Sequence, residues 1–151
     1  SKSVYNSINN DISSIELNKL ISKYCIKDFE KKNRGCIIEI HNKKSRLKLL
    51  KEIERIKQVL SSGANEVYFD IESFYDGIDY HFKLSKPKFE NIIYDLIKNI
   101  PNWIDSEINK YGKTVDYIVV TGGLVNIPKI LNDLNNIYGN DKILTNSLIT
   151  K

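Results

Sequence analysis

The run from Val115 to Val120 presents apolar side chains to both faces. It ends at the glycine pair Gly122-Gly123, and a helical pattern opens shortly afterwards at Pro128. Apolar residues on both faces are what a strand covered above and below inside a parallel sheet requires. The glycines put bare backbone where the strand gives way to the helix. Open α/β sheets take ligands at such edges, and helix N-termini favour anionic groups. A central strand also needs neighbours on both edges. Within this chain only two stretches are free to supply one, the N-terminal segment 1–14 and the tail after Gly139. A second copy pairing through 115–120, giving a homodimer, is the other solution, because a bare edge attracts another chain.

The remaining elements read clearly. Ser13 followed by Glu16 is a capping-box pattern, and the helix it opens carries Leu17, Leu20, Ile21, Tyr24 and Cys25 on one stripe to about Glu30. Gly35 stops the charged exit, and Cys36–Ile40 reads as either a strand or an irregular crossing. From Ser45 to Leu60, Leu49, Leu50, Ile53, Ile56 and Leu60 share a helix face opposite lysines, arginine and glutamates. Val67, Phe69 and Ile71, then Ile78, Tyr80, Phe82 and Leu84, alternate as the two arms of a hairpin. The Asp76-Gly77 step suits its turn. Ser85 caps a helix near 86–99 with Pro87 as an early residue, where a missing N–H costs nothing. Pro101 breaks or bends the chain before a short helix ending near Tyr111. A last helix from about Ile127 to Tyr138, capped by Asn126 or a neighbour, buries Ile130, Leu131, Leu134 and Ile137. The fold class expected is α/β, a mixed α+β arrangement.

A length of 151 residues with 41% hydrophobic content fits one domain or two small subdomains. The net charge of +4 is modest and its lysines are dispersed, so nothing points to nucleic acid. No run reaches the roughly 18 apolar residues of a membrane span, and no signal-peptide core opens the chain. No membrane partner is therefore expected, and the setting expected is intracellular and cytoplasmic. Cys25 and Cys36 read as reduced thiols, with a disulfide as the lesser alternative. Methionine is absent even at position 1, so the chain is either processed or cut from something longer.

Familiar catalytic patterns are missing. There is no phosphate loop of the GxxxxGK[ST] type, no GxSxG elbow and no HExxH helix. His41 and His81 lie far apart in the sequence and read as structural or solvent-facing. Asp70, Glu72, Asp76 and Asp79 crowd one hairpin without the spacing of a calcium loop, so no metal ligand is assigned. Glu54, Arg55, Lys57, Gln58 and Ser61 share the polar side or the end of one helix, which by itself describes a solvated face.

Four stretches change that weighting. Glu54 to Ser62 resembles the ERAKRTLSS motif of the Hsp70 chaperone family. Phe69 to Tyr80 resembles its IEIDSLYEGIDF, Leu84 to Leu96 its SITRARFEELNADL, and Val119 to Ile130 its LVGGSTRIPKI. Order and spacing agree as well, from about Ile15 to about Ile149. The resemblance implies an actin-like ATPase fold, of which this chain is the second lobe only and incomplete. In that reading residues 1–14 are an N-terminal segment that could add a strand. Residues 15–99 form a helical and hairpin subdomain like the family's IIB, and 100–151 a partial IIA-like subdomain.

The resemblance also assigns a site. The family's adenosine-contacting lysine, arginine and serine fall on Lys57, Gln58 and Ser61. Its glycine pair falls on Gly122 and Gly123, its next serine on Leu124, and its second adenine-facing arginine on Asn126. Both arginines are thus replaced by amides, which carry no charge to stack on an aromatic plane. The family's Asp- and Gly-rich phosphate loops and metal-positioning carboxylates precede the matched stretch. Ser13-Ser14 stands where the family has a glycine pair, and the closing NPDEAVAxGAA-like run is not present after Ile149. No catalytic residue is therefore assigned. ATP or ADP is expected for the parent protein and weakly or not at all here, with magnesium only alongside the missing first lobe. The function implied is a piece of an ATP-dependent Hsp70-like chaperone. It would supply the adenosine side of the nucleotide site and a face for a nucleotide-exchange factor or co-chaperone. The alternatives are a degenerate protein-binding or scaffold module, and an independent enzyme of another kind.

Overall fold

A computed structural model describes residues 4–9, 13–38, 42–122 and 127–145. Its elements are α1 (Ser14–Lys32), α2 (Lys43–Ser61), β1 (Glu66–Tyr75), β2 (Ile78–Ser85), α3 (Lys86–Ile97), α4 (Ile100–Tyr111), β3 (Ile118–Val120), α5 (Pro128–Tyr138) and β4 (Ile143–Thr145). This is a mixed α/β fold, consistent with the actin-like ATPase superfamily. The chain forms two compact units, one of Leu17–Ile93 and one of Ser1–Glu16 with Tyr94–Lys151.

In the Leu17–Ile93 unit, α1 buries Leu17, Ile21, Cys25 and Phe29 at fourfold spacing, and α2 buries Leu49, Ile53, Ile56 and Leu60. That spacing lays each set along a single stripe of its helix. The β1–β2 hairpin is antiparallel and pairs Val67 with Leu84, Phe69 with Phe82 and Ile71 with Tyr80. Alternation therefore puts one apolar set on the inner face. Phe29, Phe69, Phe74, Tyr80 and Phe82 meet there in edge-to-face and tilted contacts with ring centroids 5.1–5.8 Å apart. The turn takes positive φ at Asp76 (51°) and Gly77 (71°), the pair of left-handed residues a two-residue hairpin loop requires. Register slips between Ile71 and Tyr75, and Ser73 there has φ 46°. The Ser73 N–H donates to Asp79 Oδ1 at 2.8 Å, which ties the irregular stretch across the turn.

Helix side chains occupy carbonyls along the hairpin. Arg55 of α2 donates to the Tyr68 carbonyl and Lys48 to those of Glu72 and Ser73, while Lys32 of α1 donates to the His81 carbonyl. The expected caps form: the Glu16 N–H donates to Ser13 Oγ and the Lys88 N–H to Ser85 Oγ, both at 3.3 Å. Asn42 caps α2 by accepting from the Ser45 N–H.

In the other unit, β3 and β4 form a two-stranded parallel sheet, Ile118 opposite Ile143 and Val120 opposite Thr145, joined through α5. The core includes Ile97, Ile100, Ile104, Ile127, Ile130, Leu134 and Ile143. Tyr138 donates to Asp105 Oδ1 at 2.6 Å and lies 3.1 Å from the Pro101 carbonyl, tying α5 to α4.

Several expectations are corrected here. The strand begins at Ile118, not Val115, because Asp116 interrupts the apolar run and the backbone bends at that residue. Of the neighbours expected for this strand, the tail after Gly139 supplies one, on one edge of β3. Residues 4–9 carry no strand, Val4 and Ile8 are exposed, and Tyr5 instead stacks near Tyr111 and donates to Glu107. Among the described residues, no strand lies on the other edge of β3. The break expected near Pro101 falls between Ile97 and Ile100, and Pro101 itself sits in the first turn of α4, where its missing N–H has no intrahelical partner to lose. Ile137 and Leu50 are exposed, at 53% and 38%, although their spacing suggested burial. Residues 36–38 are irregular, and the rest of the Cys36–Ile40 run lies outside the described residues. Both cysteines are free thiols.

Candidate functional site

On α2, Lys57 and Ser61 stand one turn apart with Gln58 beside them, so the helix repeat brings the three to adjoining positions near its C-terminal end. Lys57 and Ser61 are half-buried and Gln58 is exposed. The helix closes at Ser62, whose N–H donates to the Gln58 carbonyl. The Lys57 ammonium lies 2.8 Å from Glu54 Oε1, three residues earlier. The same oxygen accepts from the Asn18 side-chain amide of α1 at 3.2 Å. The Lys57 hydrogen bond holds the Glu54 carboxyl below the usual carboxylate range, with a smaller contribution in the same direction from Asn18.

Sequence reasoning did not place Glu54 in the site or Asn18 anywhere in it. The i, i+3 spacing of Glu54 and Lys57 is a legible pairing signal. No sequence signal marks Asn18, because it comes from another helix.

Gly122 follows β3 at its C-terminal end, the edge at which parallel strands present ligand sites. Its φ of 113° is one that L side chains rarely adopt, and a Cβ built there meets none of the described residues within 4 Å. Glycine is therefore required by backbone conformation. Helix α5 opens at Pro128 with Ile127 as its N-cap and no side-chain cap hydrogen bond. Gly123, Leu124 and Asn126 lie outside the described residues. Lys57, Gln58 and Ser61 belong to the Leu17–Ile93 unit and Gly122 to the other.

The clustered carboxylates of the hairpin have local employment: Asp79 holds the Ser73 N–H and Asp70 pairs with the His81 ring across the strands. Among the described residues, no three His, Cys, Asp or Glu side chains gather as a metal-binding group. No described helix is long and apolar enough to cross a membrane. His41 lies outside the described residues.

Comparison with known proteins gives this arrangement a lineage. A family profile described as Hsp70 protein matches residues 6–147. Heat shock cognate 70 kDa protein 3 of Dictyostelium discoideum is 30% identical over 136 residues, covering 87% of this chain and 20% of that protein. Hypoxia up-regulated protein 1 of Gallus gallus is 32% identical over 107 residues, covering 68% of this chain and 10% of that protein. Heat shock 70-related protein 5 of Dictyostelium discoideum is 27% identical over 132 residues, covering 85% and 25%. The chain thus spans a quarter or less of the length of these relatives.

Proposed function

Because the chain belongs to the Hsp70 family, we propose that it is the second-lobe part of an Hsp70-like ATP-dependent chaperone, carrying the adenosine side of the nucleotide site. Lys57, Gln58 and Ser61 would meet the nucleoside from α2. Gly122 and Gly123 would bring backbone against it, and Leu124 and Asn126 would flank the base. The observation that carries this reading is Gly122. The residue that resembles the first of the family's glycine pair adopts φ 113° at the C-terminal end of a parallel strand. Phosphoryl transfer needs a γ-phosphate clamped by fixed charge and metal. We assign that role to a first lobe outside these 151 residues, and magnesium with it. The subdomain at 15–99 would present the surface for a nucleotide-exchange factor or co-chaperone.

A second reading has its own support. Gln58 and Asn126 stand where two stacking arginines are expected, and Leu124 where a hydroxyl is, which fits a module that kept its packing and gave up nucleotide for a protein-binding role. Titration of the chain with ADP by calorimetry separates the two. The first reading expects weak saturable binding, no tighter than about 100 μM, lost in Gly122→Val. Absence of binding up to millimolar ADP supports the second.

A further inference from the structure

Asn18 has one atom at odds with its surroundings. Its side-chain N–H donates to Glu54, but its Oδ1 is buried without a hydrogen-bond partner. An unpaired buried acceptor is costly and calls for an explanation. Turning the amide over would not cure it, because the oxygen would then face the Glu54 carboxylate in place of the donor. The side chain is therefore held in the orientation that satisfies Glu54 and not itself. Glu54 is the one group joining Asn18 of α1 to Lys57 of α2, at 3.2 Å and 2.8 Å through the same oxygen. An ion pair three residues apart on one helix, with its glutamate 57% exposed, is ordinarily weak and mobile. A donor from a second helix fixes the carboxylate and, through it, the ammonium.

We infer that Asn18 is a positioning residue: it anchors Glu54, and Glu54 holds Lys57 in one orientation toward the nucleoside. This deepens the adenosine-site reading and rests on it for the ligand, although the anchoring itself does not. The charge pattern is consistent, since the Asn18 bond contributes to the lowered carboxyl of Glu54. A residue kept for packing would not leave its own carbonyl unpaired, because an apolar side chain of the same size would avoid that cost.

The deciding variant is Asn18→Leu, close in shape and free of both the donor and the orphaned acceptor. Thermal stability is expected to stay level or rise. NMR titration is expected to show the Glu54 carboxyl moving up toward the ordinary carboxylate range. The dissociation constant for ADP, followed by NMR, is expected to weaken about three- to tenfold, the scale of one ordinary net hydrogen bond. In a Lys57→Ala background the Asn18 effect on ADP is expected to vanish. An unchanged Glu54 titration in Asn18→Leu overturns the anchoring, whatever ADP does. An equal loss of ADP affinity with and without Lys57 overturns the route through that lysine. If the unsubstituted chain takes no ADP, the site reading fails, and the Glu54 titration still decides whether Asn18 anchors it.

Discussion

The hydroxyl of Ser45, the one buried polar residue in the core of α2, donates to the main-chain carbonyl of Phe74. Phe74 lies where the β1–β2 register slips, so its carbonyl sits in a stretch with irregular ladder pairing. Ser45→Ala leaves that carbonyl without its partner in a dry environment. Unfolding of the Leu17–Ile93 unit in urea is expected to show a loss of about 1–3 kcal/mol. A loss under about 0.5 kcal/mol means that another donor or water takes the serine's place.

Gly122 gives a prediction of a different kind. Since a Cβ there meets none of the described residues within 4 Å, Gly122→Ala should show mainly backbone strain, of about 1–3 kcal/mol. The larger Gly122→Val should add blockage of the proposed nucleoside approach. Melting temperature and ADP binding measured together distinguish strain from occlusion. Equal ADP affinity in the native chain and in Gly122→Val removes this glycine from the site.

The two replaced arginines can be returned. Gln58→Arg with Asn126→Arg is expected to tighten ADP at least tenfold, taking about 1–2 kcal/mol for each stacked guanidinium. Calorimetry checks this. No gain in the double variant would mean that α2 and the Gly122 loop do not converge on one base.

No turnover of ATP is expected from this chain with magnesium present, because no group in it is assigned to clamp the γ-phosphate. A steady-state phosphate-release assay against Gly122→Val makes the comparison. Activity above that control would require donors other than those assigned here.

Alkaline pH is expected to act on the hairpin unit through Cys25. Burial pushes this thiol up to about 12 from an ordinary 9.0. Between those values the folded chain keeps a proton that the unfolded chain releases, so stability falls as pH rises through that window. Once the unfolded thiol is ionised the slope is about 1.4 kcal/mol per pH unit. Below about pH 9 the term is absent. Tyr80, whose phenol is also held well above its usual range mainly by burial, acts in the same direction at higher pH. Cys25→Ala is expected to shallow the alkaline limb of a stability-against-pH curve, after its own constant cavity cost. An unaltered slope would assign the alkaline loss elsewhere.

The parts legible in the sequence are those governed by near neighbours. Ser13 and Ser85 cap helices because each needs only an amide three residues on. The Asp76-Gly77 turn needs only two residues tolerant of positive φ. The Lys57, Gln58 and Ser61 cluster follows from the helix repeat. What the sequence hid depends on distant chain. The tail after Gly139 reads as one of the candidate neighbours of the 115–120 strand, but three-residue strands leave too little alternation to single out Ile143–Thr145. Ile137 and Leu50 obey the helical period yet lie exposed, since period marks a face but not how far a neighbour covers it. Asn18 meets Glu54 across 36 positions, and no spacing rule reaches that far.

The cationic side chains laid on the hairpin carbonyls decide where this chain is open to self-association. With Arg55, Lys48 and Lys32 occupying acceptors on β1 and β2, a foreign strand would have to displace bound donors before adding its own. The β3–β4 pair is short, and Val119 within β3 is half exposed. Clumping in concentrated solution should therefore begin at the small parallel sheet and spare the larger antiparallel one. A charge placed at Val119 would do more for solubility than any change on the hairpin.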